Sequence, residues 1–165
     1  MKNIYTLLSI IIISLTVYCS FDDLIPSSLK SIESTGFSVD NALNHLKVIS
    51  KEPHYTGSKY HQEVQNYIVN ELKTMGLDTE IQNQVVISSR RVGTNAANII
   101  STIKGSREGK SLVLLTHYDS SPHSSYGASD AGSGVVTILE GVRTFLSKNQ
   151  TPLNDIHIVL SLIHI

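Results

Sequence analysis

The chain has 165 residues, of which 41% are hydrophobic, with 13 Lys and Arg against 14 Asp and Glu and a formal net charge of -1. That length suits one ordinary domain with enough apolar material for a core. The near-neutral balance argues against nucleic acid as a partner, because phosphate binding normally shows as a basic excess. The single cysteine, Cys19, excludes an intramolecular disulfide framework and an all-cysteine zinc site.

The N-terminal stretch "MKNIYTLLSIIIISLTVYCS" places Lys2 ahead of an apolar run over residues 4–19. Residues 1–20 read as a signal peptide or membrane anchor, separate from the fold. About sixteen residues at 1.5 Å each span roughly 24 Å, somewhat less than a hydrocarbon core of ~30 Å. Tyr18 is too large for a small-residue cleavage site, and "TVY" before Cys19 makes a poor lipobox. A cleaved signal, a retained anchor and lipidation at Cys19 therefore stand as alternatives. Each implies export, to the periplasm, the exterior or a membrane face turned away from the cytoplasm. Lys2 before the run and Asp22 and Asp23 after it agree with the positive-inside rule.

Residues 21–36, with their Pro and Ser, read as a linker, and the folded domain is expected over 37–165. Ser38 is a candidate N-cap for a helix carrying Val39, Leu43, Leu46 and Ile49 near helical spacing. Pro53 and Gly57 break the pattern. A second helix is predicted over Lys59 to Met75, with Val64, Ile68, Leu72 and Met75 on one face and Gly76 at the C′ position. Strands are predicted in "LDTEIQNQVVI" and "NIISTI", then in "SLVLLT", a continuous apolar run of the kind buried on both faces of a sheet. Residues Gly134 to Leu146 return to helical spacing, and "DIHIVLSLI" is a further buried strand. Strand, loop, helix and strand in succession form a βαβ unit. The fold class is α/β, a three-layer sandwich with a mixed, centrally parallel sheet.

The chemistry concentrates in "LVLLTHYDSSPHSSYGASDAGSG". His117 ends the "SLVLLT" strand, where open α/β sheets bind ligands. Imidazole and carboxylate together suit zinc. Asp119, two residues on, can accept the second ring N–H of His117 and so fix its tautomer. Asp130 opens the next helix, and its two oxygens could serve two metals. Gly127, Ala128, Ala131, Gly132 and Gly134 let the backbone crowd around it. From spacing alone two plainer readings stay open: Asp130 as an N-cap, and "HYD" as a solvated loop. His123, flanked by Pro122 and serines, reads as loop filler rather than a ligand.

The motif "HYDSSPHSSYGASDAGSG" resembles the first metal motif of the co-catalytic zinc aminopeptidases, the aminopeptidase Y family. The likeness is greatest to the branch that holds endoplasmic reticulum and vacuolar membrane metallopeptidases and many exported bacterial aminopeptidases. The upstream "FSVDNALNHLKVISKEPHYTGSKYHQEVQNYIVNELKTMGLDTEIQ" is similar to that branch's opening helices, so the resemblance runs from about Phe37 to about Leu160. It implies a zinc-exopeptidase-like fold and two Zn2+ per site in the intact family member. It makes His117 a terminal ligand of one zinc, Asp130 the carboxylate bridging both, and Asp119 the non-ligand that orients His117. The substrate implied is the N-terminus of a peptide or protein. Two metal ions would activate a bridging water and polarise the scissile carbonyl, with a glutamate as general base. Many relatives have Asp or Asn where this chain has Ala131, a position that is not a ligand.

The resemblance also implies a Glu-Glu pair just after the strand that "DIHIVLS" resembles, and then a further Asp and His. None is present: the chain reads "LSLIHI" there, no carboxylate follows Asp155, and His164 reads as a stray residue. The chain therefore reads as the truncated, N-terminal portion of a zinc peptidase domain, expected to bind zinc poorly and to hydrolyse nothing by itself. Two other functions remain: a glutaminyl-cyclase-like single-zinc acyltransferase, and a non-catalytic relative retained for protein binding.

Overall fold

The computed structural model describes residues 2–24, 36–87, 91, 93–123 and 125–164. The chain divides into two compact units, Met1–Lys30 and Ser31–Ile165.

In the first unit the apolar run forms helix α1, Lys2–Leu24. Its segment Ile4–Phe21 has a mean hydropathy of 2.1 and is long and apolar enough to cross a membrane, a property shared with signal sequences. The hydroxyls of Ser9, Thr16 and Ser20 donate to carbonyls four residues earlier. These polar groups are thus satisfied within the helix and need no water, as an apolar surrounding requires. Residues 25–35, most of the expected linker, lie outside the described residues.

The second unit runs α2 (Val39–Ile49), α3 (Lys59–Thr74), β1 (Thr79–Ile87), β2 (Gly93–Ile103), β3 (Leu112–His117), α4 (Ser133–Leu146) and β4 (Ile156–Ser161). Side-chain hydroxyls of Ser38 and Ser58 cap α2 and α3 by accepting from Asn41 N and His61 N. Helix α3 ends in a Schellman turn. Gly76 takes φ +82°, its N–H donates to Lys73 O, and the N–H of Leu77 donates to Leu72 O.

The four strands form one mixed sheet in the order β1-β2-β4-β3. β1 and β4 each pair antiparallel with β2, and β3 runs parallel to β4. The parallel pair is joined through α4, as a crossover between parallel strands must be. β2 begins at Gly93, five residues earlier than the apolar pattern suggested. The polar "GTNAA" stretch has weak strand preference of its own, but it pairs residue by residue with β1 from Ile87↔Gly93 onward. Cross-strand pairing decides the outcome there, over local propensity.

Ile99 and Ile103 of β2 share a sheet face with Leu160 and Ile156 of β4, and Leu114 of β3 lies beside Ile158 on it. That face meets the helices, and Ile49, Ile68, Leu72, Val135 and Leu139 join Ile99, Ile158 and Leu160 in a fully buried core. Two patterning expectations differ from the structure. Leu43 is exposed on α2, whose buried side instead carries Ala42 and Ile49. Leu112, Val113 and Leu115 are exposed, so β3 is covered on one face rather than two among the described residues.

A polar bolt ties the start of α2 to α4. The carboxylate of Glu140 is fully buried and accepts two hydrogen bonds from Arg143 (2.6 and 2.7 Å) and one from Ser38 N (2.7 Å). Arg143 also donates to Gly36 O at 2.8 Å, tying down the entry to the domain. Burial by itself raises the Glu140 carboxyl, but the hydrogen bonds from Arg143 and Ser38 outweigh it and leave the group below its ordinary value. Replacing Glu140 with Ala strands three donors. We expect a loss of about 2–3 kcal/mol, read as a lowered urea midpoint with unchanged slope.

Candidate metal centre

The parallel pairing sets His117, the last residue of β3, beside Ser161, the last residue of β4. The segments leaving both strands therefore meet at the carboxyl edge of the sheet. Tyr118 continues the contact, donating its N–H to Ser161 O at 3.0 Å. Its ring is buried beneath this edge. The hydroxyl donates to Ala97 O (2.7 Å) and accepts from the Gln65 amide (2.9 Å). Burial pushes the phenol up to about 12, against the lowering effect of the Gln65 hydrogen bond.

Asp119 follows, with a side chain at 0% exposure. Its Oδ1 accepts the N–H of Ile163 at 3.0 Å and stands 3.2 Å from His117 Nδ1, and its Oδ2 accepts the N–H of His164 at 2.8 Å. The Thr56 hydroxyl lies 3.5 Å from Oδ2. The Asp119 backbone carbonyl also faces His117 Nδ1, at 3.1 Å. These two acceptors assign the imidazole proton to Nδ1. Tyr118, Asp119 and Ser120 are all buried, so "HYD" is not a solvated loop.

The far nitrogen of the same ring, His117 Nε2, lies 2.9 Å from Asp130 Oδ1. Asp130 sits in a tight turn, Ala128–Gly132, where Asp130 and Ala131 leave helical dihedrals and the bond between them is cis. The N-cap of α4 is Gly132, with no side-chain capping bond, so Asp130 is not a cap. The turn closes through the N–H of Gly132 donating to Gly127 O at 2.7 Å. Gly127 takes φ +66°, and a Cβ there would come within 2.7 Å of His54 Cε1. A Cβ on Gly132 would come within 2.6 Å of Gly127 O. Small residues are needed at both points because the turn is pressed against its neighbours.

The three residues singled out in the sequence are thus contiguous, in the order Asp119, His117, Asp130. The structure adds His164, whose Nε2 lies 3.6 Å from Asp130 Oδ2 and whose ring stands edge-on to that of His117 at 5.2 Å. Ligand atoms of His117, Asp130 and His164 all lie within 4.8 Å of one another. His123 is exposed and outside this group.

Two further histidines lie buried nearby. His54 donates its backbone N–H to the Ser120 hydroxyl at 2.9 Å. His61 stacks on Tyr118 at 5.1 Å, and its Nε2 has no hydrogen-bond partner among the described residues. Burial lowers both imidazoles from the ordinary 6.5, while the Asp119 charge pulls the other way.

Donor chemistry fits a zinc-type ion. A neutral imidazole with its proton on Nδ1 offers Nε2 a lone pair, not a proton, and that lone pair faces a carboxylate oxygen. A cation between them satisfies both, as does a proton on Nε2 donated to the Asp130 carboxylate.

Residues 98–161 match Peptidase family M28. The chain is 30% identical over 125 residues to the vacuolar membrane protease of Eremothecium gossypii, covering 64% of this chain and 12% of that protein. Among solved structures, a leucine aminopeptidase precursor of Bacteroides thetaiotaomicron superposes with a TM-score of 0.67 at 28% identity, over 76% of this chain and 47% of that one. A Zn-dependent exopeptidase of Parabacteroides distasonis gives 0.64 at 25%, over 76% and 46%. The glutaminyl cyclase of Porphyromonas gingivalis gives 0.68 at 25%, over 78% and 46%. Residues 98–161 thus carry the likeness to the M28 peptidases, and the chain has the α/β fold of the zinc exopeptidases and glutaminyl cyclases. It spans a small part of the fungal proteases and under half of the solved chains.

Two outcomes are expected. Asp119→Asn sets an amide N–H2 among backbone N–H donors and should cost about 2 kcal/mol in urea unfolding, with loss of the His117 tautomer by histidine nitrogen NMR. In the unfolded chain His54 and His61 protonate near 6.5, and in the folded chain only at lower pH. The unfolded state then binds more protons below that point. Stability should be flat above about pH 6.5 and fall as the pH drops through it, measured as urea midpoint against pH.

Proposed function

We propose that the chain is part of a zinc-dependent exopeptidase, an aminopeptidase that hydrolyses N-terminal peptide bonds of peptides or proteins outside the cytoplasm. The observation that carries this is the 2.9 Å approach of His117 Nε2 to Asp130, backed by Asp119 on the other ring nitrogen. His117 would hold one ion as a terminal ligand, and the Asp130 carboxylate would be shared between two in the intact site. Zinc bound there would acidify a water and polarise a carbonyl.

This chain's own residues perform three tasks. Asp119 keeps the proton on Nδ1, so that Nε2 stays free to bind and the imidazole gains basicity. The 67% exposed side chain of Asp130 opens the site to solvent and to an incoming peptide. The Gly127–Gly132 turn holds that carboxylate against β3. No glutamate stands beside Asp130 among the described residues, and the nearest one on α4, Glu140, is taken up by Arg143. With no further carboxylate grouped with His117 and Asp130 among the described residues to accept the water's proton, we expect these 165 residues alone to be inactive. Helix α1 would serve as a signal or as an anchor through residues 4–19.

A glutaminyl cyclase with one zinc is the second reading, favoured by the likeness to the solved Porphyromonas gingivalis enzyme. Two assays separate them: release of arylamine from an aminoacyl-arylamide, and cyclisation of an N-terminal glutaminyl peptide. Each is run with zinc on the 165-residue chain and on the full product of its gene. We expect no turnover by the chain and arylamide hydrolysis by the gene product, abolished by His117→Ala or Asp130→Ala. Cyclisation without hydrolysis would favour the second reading. Turnover by the 165-residue chain at the rate of an intact aminopeptidase would overturn the inactivity.

A further inference from the structure

We propose that the chain carries a second ligand site, a small polar cavity between the start of α3 and the β1–β2 ribbon, which takes one uncharged polyhydroxy molecule the size of a single sugar ring. The cavity measures about 270 Å3, and Thr56, His61, Gln62, Asn83 and Asn95 stand in its wall. All five precede His117 in the chain, and the site calls on no metal ion.

Three observations carry it. The first is where the asparagines stand. Register sets Asn83 opposite Ala97 and Val85 opposite Asn95, so Asn83, Asn95 and Ala97 share one face of the ribbon. By the two-residue period of a strand, that is the face on which Ile99 and Ile103 enter the core. Asparagine is depleted in strands, and a position turned toward a helix favours an apolar residue. Two asparagines there serve neither the strand nor the core. Ala97, also in the wall, is small and leaves the space between them open.

The second is a buried group with nothing to bond. His61 is 8% exposed and stacks on Tyr118, and its Nε2 has no hydrogen-bond partner among the described residues. A buried polar atom left in that state costs free energy. The side chains of Asn83 and Asn95 likewise meet no partner among the described residues. Gln65, deeper in the same wall, is by contrast committed to Tyr118 and Gln62.

The third is the balance of the wall. No Lys, Arg, Asp or Glu lines the cavity, so nothing in it anchors an ion. Each free amide offers both N–H2 and C=O, and burial lowers the imidazole from 6.5, so the neutral ring adds one donor and one acceptor. An apolar ligand would strand these groups. Hydroxyls on adjacent carbons each donate and accept, and can meet several of them at once. The volume lies just under the roughly 300–1,000 Å3 of drug-sized sites, which limits the ligand to about one ring.

The test is NMR of the full 165-residue chain, in micelles of a detergent without a sugar headgroup, titrated with D-glucose, D-mannose, D-galactose and N-acetyl-D-glucosamine. We expect at least one of them to move the His61 ring nitrogens and the Asn83 and Asn95 side-chain amides saturably, with the His45 signals unmoved. The methyl glycoside of that sugar then separates two sources. Binding kept by the glycoside identifies the end of a glycan, and binding lost identifies a free sugar. A neutral hydrogen bond is worth about 3- to 10-fold in affinity, so Asn95→Ala should weaken binding by that factor. His61→Phe, which keeps an aromatic ring against Tyr118, should do the same, with an unchanged circular dichroism spectrum. Asn70→Ala, exposed on α3 outside the cavity, should bind as the parent does. Shifts that stay linear with every sugar, or binding undiminished in both Asn95→Ala and His61→Phe, would overturn the site. Saturable binding of inorganic phosphate at these residues in place of the sugars would overturn the uncharged class of ligand.

Discussion

The candidate site depends on one buried charge, the carboxylate of Asp119. Removing a carboxylate from water is costly unless hydrogen bonds replace the lost solvation. Here the replacements come from separate parts of the chain: the His117 imidazole at the end of β3, the Thr56 hydroxyl between α2 and α3, and two successive backbone N–H groups beyond β4. Those donors have to converge for the charge to be tolerated. Their convergence fixes the ring of His117, the path of residues 162–164 and the position of His164. Because the solvating groups are backbone and imidazole N–H rather than a lysine or arginine, the anionic field is left largely uncompensated. That field points through His117 toward Nε2, which favours a cation on the far side of the ring.

The topology explains why these groups gather at one edge. Parallel strands leave their carboxyl ends side by side, so the loops after β3 and β4 emerge together although about forty residues of chain separate them. The crossover through α4 brings the Ala128–Gly132 turn back over the same edge. Packing then becomes the constraint. Gly127 lies against His54, Gly132 against Gly127, and the rings of Tyr118 and His61 stack below. A site assembled from three loops is thus held by close packing of its backbone as well as by its individual contacts.

Much of this was readable from the sequence, and the parts that were not share a cause. Ser38, Gly76 and the helical stripe through Val64, Ile68 and Leu72 are local signals, and each element formed where its signal stood. The trio His117, Asp119 and Asp130 was legible because strand end, two-residue spacing and a run of small residues lie within one short segment. β2 outgrew its apolar core because its first half is made a strand by β1, a partner across the hairpin. The outer face of β3 was read as buried from composition, which does not tell which face a neighbour covers. His54, His61 and His164 looked like scattered single histidines. Their neighbourhood depends on the β3–β4 register, His117↔Ser161, and no period in the sequence encodes that pairing. One available signal was the place of His164, directly after the predicted strand "DIHIVLSLI" and three residues past the observed end of β4, at the same sheet edge as His117.

Two aspartates of one site show how environment divides roles between identical side chains. Asp119 is sealed at 0% exposure, accepts hydrogen bonds through both oxygens, and has no free lone pair directed outward. It is suited to holding other groups still and unsuited to gripping an ion. Asp130 is 67% exposed, with its backbone clamped by the glycine turn and its oxygens facing two imidazoles. Its exposed oxygens keep their hydration. Exchanging the burial of the two residues would leave a buried ligand that costs too much to charge and an exposed orienter too loose to fix a tautomer. The pairing of a sealed aspartate behind the histidine with an open one in front is therefore the division of roles that the proposed metal site requires.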